Sequence, residues 1–150
     1  MFKNILLATD GSAASDQAAR LAVALAREGH ARLTALYVID PYPYPGVGEA
    51  SAVGFQAYMS NAYEHAAQAH AKIAAMCADG DHVVLQLRRS KDASAAESIV
   101  RTAAEEKADL IVVGSHGRTG LERIMLGSVA AKVVAQSPVP VLVARQSPAA

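Results

Sequence analysis

Gly114, Gly117, Gly127 and Ser128 form the pattern in this chain that is best suited to chemistry. They follow Leu110–Val113, an apolar run of the kind that makes a buried parallel strand. Val129, Val133 and Val134 come next at helical spacing. The predicted order is therefore strand, glycine-rich loop, helix start. Such an order turns backbone N–H groups and the positive end of a helix dipole toward an anion, most often a phosphate. Glycines allow positive φ angles and let a ligand approach where a Cβ would block it. Ser128 occupies the expected N-cap position, where its hydroxyl could cap the helix or meet a phosphate oxygen. Two familiar phosphate loops are excluded, because no Gly-Lys-[Ser/Thr] closes this one and G-x-G-x-x-G is absent.

A second cluster lies near the start. Ile5-Leu6-Leu7-Ala8 reads as a strand that runs into Thr9-Asp10-Gly11-Ser12. Asp10 falls just past the strand's carboxyl end, where open α/β sheets place ligand contacts. Asp10 or Ser12 could instead cap the helix that follows. A carboxylate repels phosphate, so Asp10 suits a ribose hydroxyl, or phosphate oxygens only through magnesium.

The elements that position these residues alternate strand with helix. Ala14, Ala18, Leu21, Ala22 and Leu25 share a helical face, with Gly29 as the expected stop. Ala31–Ile39 is apolar on both faces, as an interior parallel strand must be. The stretch 41–60, with Pro41, Pro43, Pro45 and several glycines, reads at its start as an extended loop. It leaves from the rim that holds the glycine loop, as a lid, a partner contact or a plain surface loop. An alanine-rich helix then runs to about Ala78, with Tyr63, Ala66, Ala67, His70, Ile73 and Ala74 on one mixed face. Its His65 and His70 are five apart, which does not suit two ligands on one metal, and both read as solvated. Val83–Leu87 is a third strand, followed by the basic residues Arg88 to Lys91. Ser94 and Glu97 form a capping box before a helix with Ile99, Val100, Ala103 and Ala104 inward. Val141–Ala144 is the fifth strand. Five strands separated by helices predict a doubly wound parallel α/β sheet, Rossmann-like, in one domain spanning 1–150.

Composition narrows the function. The 150 residues carry 14 basic and 14 acidic side chains, a net charge of zero. No field of one sign favours nucleic acid or an anionic membrane as a partner. No apolar stretch approaches the ~18 residues of a membrane span, and no leader-like segment opens the chain. A cytoplasmic protein is the expectation. Cys77 is the only cysteine and reads as an ordinary small helix residue.

The spacing G-x2-G-x9-G-[S/T], here Gly114, Gly117, Gly127 and Ser128, resembles the nucleotide-binding signature of the universal stress protein family. The wording GSHGRTG followed by LGSVA is typical of it, and the resemblance runs from Asn4 to Arg145. It implies the family's strand order 3-2-1-4-5, which the alternation itself does not determine. It also implies that Asp10 lies beside ribose and adenine, and that the backbone of Val38 pairs with the adenine edge, whereas residue chemistry alone makes Val38 a core residue. Family members commonly dimerise through the last strand, so a homodimer is expected, and Val141–Ala144 lacks a gatekeeping charge before Arg145.

The ligand implied is ATP with magnesium, or a related adenine nucleotide. Arg118 and Arg123 could meet the triphosphate. Hydrolysis would also need a group to position water. His116 stands in the loop as a weak general base or a loop-stabilising side chain, and the loop has no lysine. The expected function is thus a stress-response nucleotide switch with slow or no hydrolysis. The alternatives are a nucleotide-independent dimeric scaffold and a genuine ATP-hydrolysing enzyme.

Overall fold

Ile5, Leu6 and Leu7 are almost fully buried, which requires cover on both faces of the strand that holds them. The computed structural model describes residues 1–41, 49–90, 94–116 and 126–146. Its strands are β1 (Asn4–Ala8), β2 (Arg32–Ile39), β3 (His82–Arg89), β4 (Leu110–Gly114) and β5 (Val141–Ala144). Its helices are α1 (Ala13–Gly29), α2 (Glu49–Met76), α3 (Ala95–Glu105) and α4 (Ser128–Gln136). The strands are all parallel, in the order β3-β2-β1-β4-β5 expected from the resemblance. β1 lies centrally, with Ile5 opposite Leu33 on one side and Leu110 on the other.

Alternation along β1 divides the core. Ile5 and Leu7 pack with α1 and with Ile73 of α2. Leu6 packs on the opposite face with Ile99 of α3 and Val133 of α4. The chain turns to one side of β1 for β2 and β3 and to the other for β4 and β5. The carboxyl ends of β1 and β4 therefore flank the topological switch point, where this fold class leaves a crevice.

Several local expectations shift. Gly29 is the last residue of α1, and the left-handed cap is His30, at φ 50°. Gly29 serves a different need, since a Cβ there would lie 3.3 Å from the Phe2 carbonyl. α2 begins at Glu49, inside the stretch read as loop, because the prolines end at Pro45 and helix-forming residues follow. Residues 42–48 lie outside the described residues. The buried face of α2 is Met59, Ala66, Ala69 and Ile73, while Ala67 and Ala74 are exposed. His65 is solvated as expected, but His70 is half-buried against β2 and β3, and desolvation lowers its pKa. Cys77 lies just past α2, its thiol donating to the Ile73 carbonyl at 3.2 Å. Ser94 caps α3 as expected, accepting from the Glu97 amide.

On the α3 side, Glu106 joins three elements. Its carboxylate accepts from the Gln86 amide at 2.8 Å and from the Arg32 guanidinium at 2.9 Å. Gln86 foremost, then Arg32, hold its pKa below the ordinary value of 4.5. A carboxyl depressed in the folded state stabilises the fold above its unfolded pKa and loses that contribution as the pH falls through the folded one. Glu106→Gln should therefore reduce stability at pH 7 and narrow the difference between pH 7 and pH 3, as read from urea midpoints. An unchanged difference would remove Glu106 from the acid response.

Candidate functional site

Three strand ends and one helix start enclose the crevice. It is a cavity of about 590 Å³, lined by residues that include Asp10, Val38, Asp40, Gly114, His116, Gly127 and Ser128. That volume lies within the range of small-molecule and cofactor sites, about 300–1,000 Å³. Five of the sequence-derived residues, Asp10, Val38, Gly114, Gly127 and Ser128, meet in its wall. Gly117 and Arg118, like Arg123, lie outside the described residues.

At the end of β1, both readings of Asp10 meet in one turn. Ser12 is the N-cap of α1, its Oγ accepting from the Ser15 amide at 3.3 Å. Asp10 braces this cap, with Oδ1 accepting from the Ser12 amide at 2.9 Å and from the Ser12 hydroxyl at 2.5 Å. Oδ2 has no hydrogen-bond partner among the described residues, so the carboxylate keeps acceptor capacity beside the cavity. Beneath it runs a satisfied relay. The Gly11 amide donates to Thr9 Oγ1, Thr9 Oγ1 and Ser15 Oγ are 3.2 Å apart, and Ser15 Oγ donates to the Ser12 carbonyl. Gly11 has φ +77°, the left-handed region that glycine tolerates.

Register explains the placement of Val38. The pairing of β1 with β2 ends at Ala8 opposite Leu36, and the Thr9 amide closes it on the Leu36 carbonyl at 3.0 Å. Backbone groups two residues apart point to the same strand edge. The N–H and C=O of Val38 therefore point the same way as those of Leu36, but beyond the end of β1, toward the cavity. Ile39 points oppositely and accepts from the Ser90 amide. Val38 thus offers one donor and one acceptor on a ledge, the arrangement that reads the edge of a planar heterocycle. Its side chain packs against the core cluster under α3 and α4, so it is also the core residue that its chemistry indicates.

The glycine loop closes on itself. The Gly127 amide donates to the Ser115 carbonyl at 2.7 Å, and the Ser115 amide donates to Ala144 of β5 at 2.8 Å. A Cβ on Gly127 would lie 2.9 Å from that Ser115 oxygen. Gly127 therefore serves close approach, since its φ of −60° is open to any residue. It is also the N-cap of α4 and supplies no side-chain cap, while Ser128 is the first helical residue. That corrects the expected register by one position. The steric demand at Ser115 outweighs the usual preference for a hydroxyl at the cap. The first N–H groups of α4 are left for an incoming acceptor.

Two residues that sequence reasoning did not single out complete the wall. Asp40 follows β2 directly, and desolvation pushes its carboxyl pKa up; its backbone carbonyl accepts from the Tyr58 hydroxyl at 2.9 Å. Ser115 Oγ lies 3.0 Å from His116 Nδ1, and His116 Nε2 is buried without a partner among the described residues. Position alone marked Asp40, as the acid closing an apolar strand. Among the described residues there is no cluster of three or more His, Cys, Asp or Glu side chains able to hold a metal ion. Among them too, no helix is long and apolar enough to cross a membrane.

A parallel sheet of order 3-2-1-4-5 with a glycine-framed cavity at its switch point defines a doubly wound α/β protein. The model of the universal stress protein family matches residues 1–145, and the chain belongs to that family. It is 38% identical over 146 residues to a universal stress protein of Methanocaldococcus jannaschii, covering 97% of this chain and 84% of the relative. The structure of UspA from Lactobacillus plantarum superposes with a TM-score of 0.76 at 28% identity, covering 95% and 97% of the two chains. A universal stress protein solved in complex with cAMP superposes at 0.68 with 26% identity, covering 97% and 99%.

Proposed function

We propose that this chain binds an adenine nucleotide, ATP with magnesium, and acts as a nucleotide-dependent switch in a stress response, with slow or no hydrolysis. The observation that carries the reading is the convergence of Asp10, the Val38 backbone and the Gly127–Ser128 helix start on one cavity. Each suits a different part of a nucleotide. The base edge would lie on the Val38 ledge and the ribose hydroxyls on Asp10. The phosphates would sit on the orphan N–H groups at the start of α4, with Gly114, Gly117 and Arg118 completing the cradle. Gly127 supplies no side-chain cap, so the first N–H groups of α4 remain free for an acceptor at the cavity, and the residues present fit the group. Magnesium accompanies a triphosphate and neutralises its charge. The cAMP complex of a relative supports an adenine ligand.

The same reading places the protein in the cytoplasm as one domain over 1–150, working as a homodimer through β5, without nucleic acid or membrane partners. β5 is a sheet edge, and Val129 and Val134 of α4 are exposed large apolar side chains nearby in sequence.

Thermal unfolding with MgATP, AMP, cAMP and GTP tests the assignment. Ligand at 100 times its Kd adds about 2.7 kcal/mol of apparent stability, a rise of roughly 5–10 °C for a chain of this length. Asp10→Asn keeps an oxygen acceptor for Ser12 but removes the charge, and should weaken ATP binding about ten-fold, since a hydrogen bond to a charged group contributes roughly 1.5–3 kcal/mol. If no nucleotide at millimolar concentration raises the Tm, the nucleotide reading is wrong and the dimeric scaffold takes its place.

A further inference from the structure

Among the described residues α2 contributes none to the cavity wall, yet it holds the turn that carries Asp10. The Lys72 ammonium donates to the Gly11 carbonyl at 2.9 Å and to the Asp16 carboxylate at 3.2 Å. It thereby ties α2 to the Asp10–Ser12 turn and to the first turn of α1 at once. Gly11 rests directly on α2, because a Cβ added there would lie 3.1 Å from the Ala69 Cβ. The contact spans 61 positions of sequence, so no local pattern announces it.

We propose that Lys72 is a positioning residue for the nucleotide site, acting through Asp10 from outside the cavity. This rests on the nucleotide reading above. The turn is braced from within by the bonds of Thr9, Asp10 and Ser12, and Lys72 adds the hydrogen bond that ties it to α2. Gly11, at φ +77°, is the residue with the broadest conformational freedom, and it lies between the carboxylate and the cap that braces it. Fixing the Gly11 carbonyl removes that freedom and holds the Asp10 carboxylate in the cavity wall in advance of ligand. Pre-organisation of this kind raises affinity by lowering the ordering cost of binding, without a contact to the ligand. Linkage makes the effect reciprocal: a ligand held by Asp10 must in turn stabilise the hold of α2 on the turn.

The test is a double-mutant cycle on ATP affinity by titration calorimetry, with Lys72→Met, Lys72→Arg, Asp10→Asn and the double variant Lys72→Met/Asp10→Asn. Lys72→Met keeps the length and apolar stem of the side chain and should weaken ATP about three- to ten-fold, in the range of coupling between neighbouring groups. Lys72→Arg should recover most of the loss. In the Asp10→Asn background the same Lys72→Met change should have little effect, because the group it positions has lost its charge. Circular dichroism and Tm establish that each variant is folded. A purely structural lysine would weaken ATP equally in both backgrounds, and that result overturns the proposal. So does unchanged affinity in a folded Lys72→Met protein that still binds ATP. Failure of the wild-type chain to bind ATP is a different outcome, which overturns the nucleotide reading and this inference with it.

Discussion

Gly127→Ala will abolish the Tm rise with MgATP and lower the Tm of the protein alone. The added Cβ falls 2.9 Å from the Ser115 carbonyl and 3.4 Å from the His116 Cα. Both are backbone atoms that a rotamer change cannot move aside. The junction itself must open, at a cost of about 1–3 kcal/mol, as for other overpacked sites. That is a fall of roughly 2–12 °C for a protein of this size. Opening it displaces the start of α4 relative to β4, and with it the donors proposed to hold phosphate. The loss of two charge-assisted bonds at about 1.5 kcal/mol each is more than a hundred-fold in affinity. Thermal shift with and without MgATP reads both effects together. A Gly127→Ala protein with the full nucleotide-dependent rise would show that the loop is a structural turn and not an anion cradle.

Leu6→Ala should be among the most damaging single truncations that leave the cavity lining intact. Leu6 is 0% exposed on the central strand, opposite Thr34 of β2 and Ile111 of β4, and it packs beneath α3 and α4. Removing a fully buried leucine down to alanine costs about 2–5 kcal/mol, the spread depending on how far the neighbours close the void. Little closure is available here, because β1 is hydrogen-bonded on both edges and covered on both faces. Against a total stability of about 5–15 kcal/mol this is a large fraction. Urea unfolding should show a lower midpoint with the slope unchanged. A loss below about 1 kcal/mol would contradict the packing of Leu6 between the sheet and α3 and α4.

What could be read from the chain beforehand divides along a physical line. The glycine signature was legible because a strand, a loop and a helix start in immediate succession keep their spacing in any fold. Ile5–Leu7 and Leu110–Val113 were legible as interior strands because a strand covered on both faces has no polar alternation to lose. Strand order was not, since apolar runs of similar composition carry no label for their neighbours; it came from the resemblance alone. Gly127 and Ser128 were read one position out, because capping preference is local while the approach to Ser115 is tertiary. The loop expected over 41–60 gave way to helix from Glu49, where proline content and helix propensity part company within a few residues. The hold of Lys72 on Gly11 depends on groups 61 positions apart meeting across the fold, which periodicity does not encode. The Ser115–His116 contact is between neighbours, but its burial beside the cavity is tertiary.

The unequal lengths of the strands carry a consequence for how such a site changes over time. β2 has eight residues and its neighbour β1 has five. The ledge at Val38 is the part of β2 that β1 does not reach, and its donor and acceptor belong to the main chain. Any residue but proline supplies the same pair there. Base selectivity of the kind proposed would be inherited with the sheet and indifferent to side-chain drift, since position 38 can vary without altering that donor and acceptor. Lengthening β1 by two residues would occupy the ledge with ordinary sheet pairing and shift Asp10, which closely follows β1 in the cavity wall, so both proposed contacts would be lost in one step.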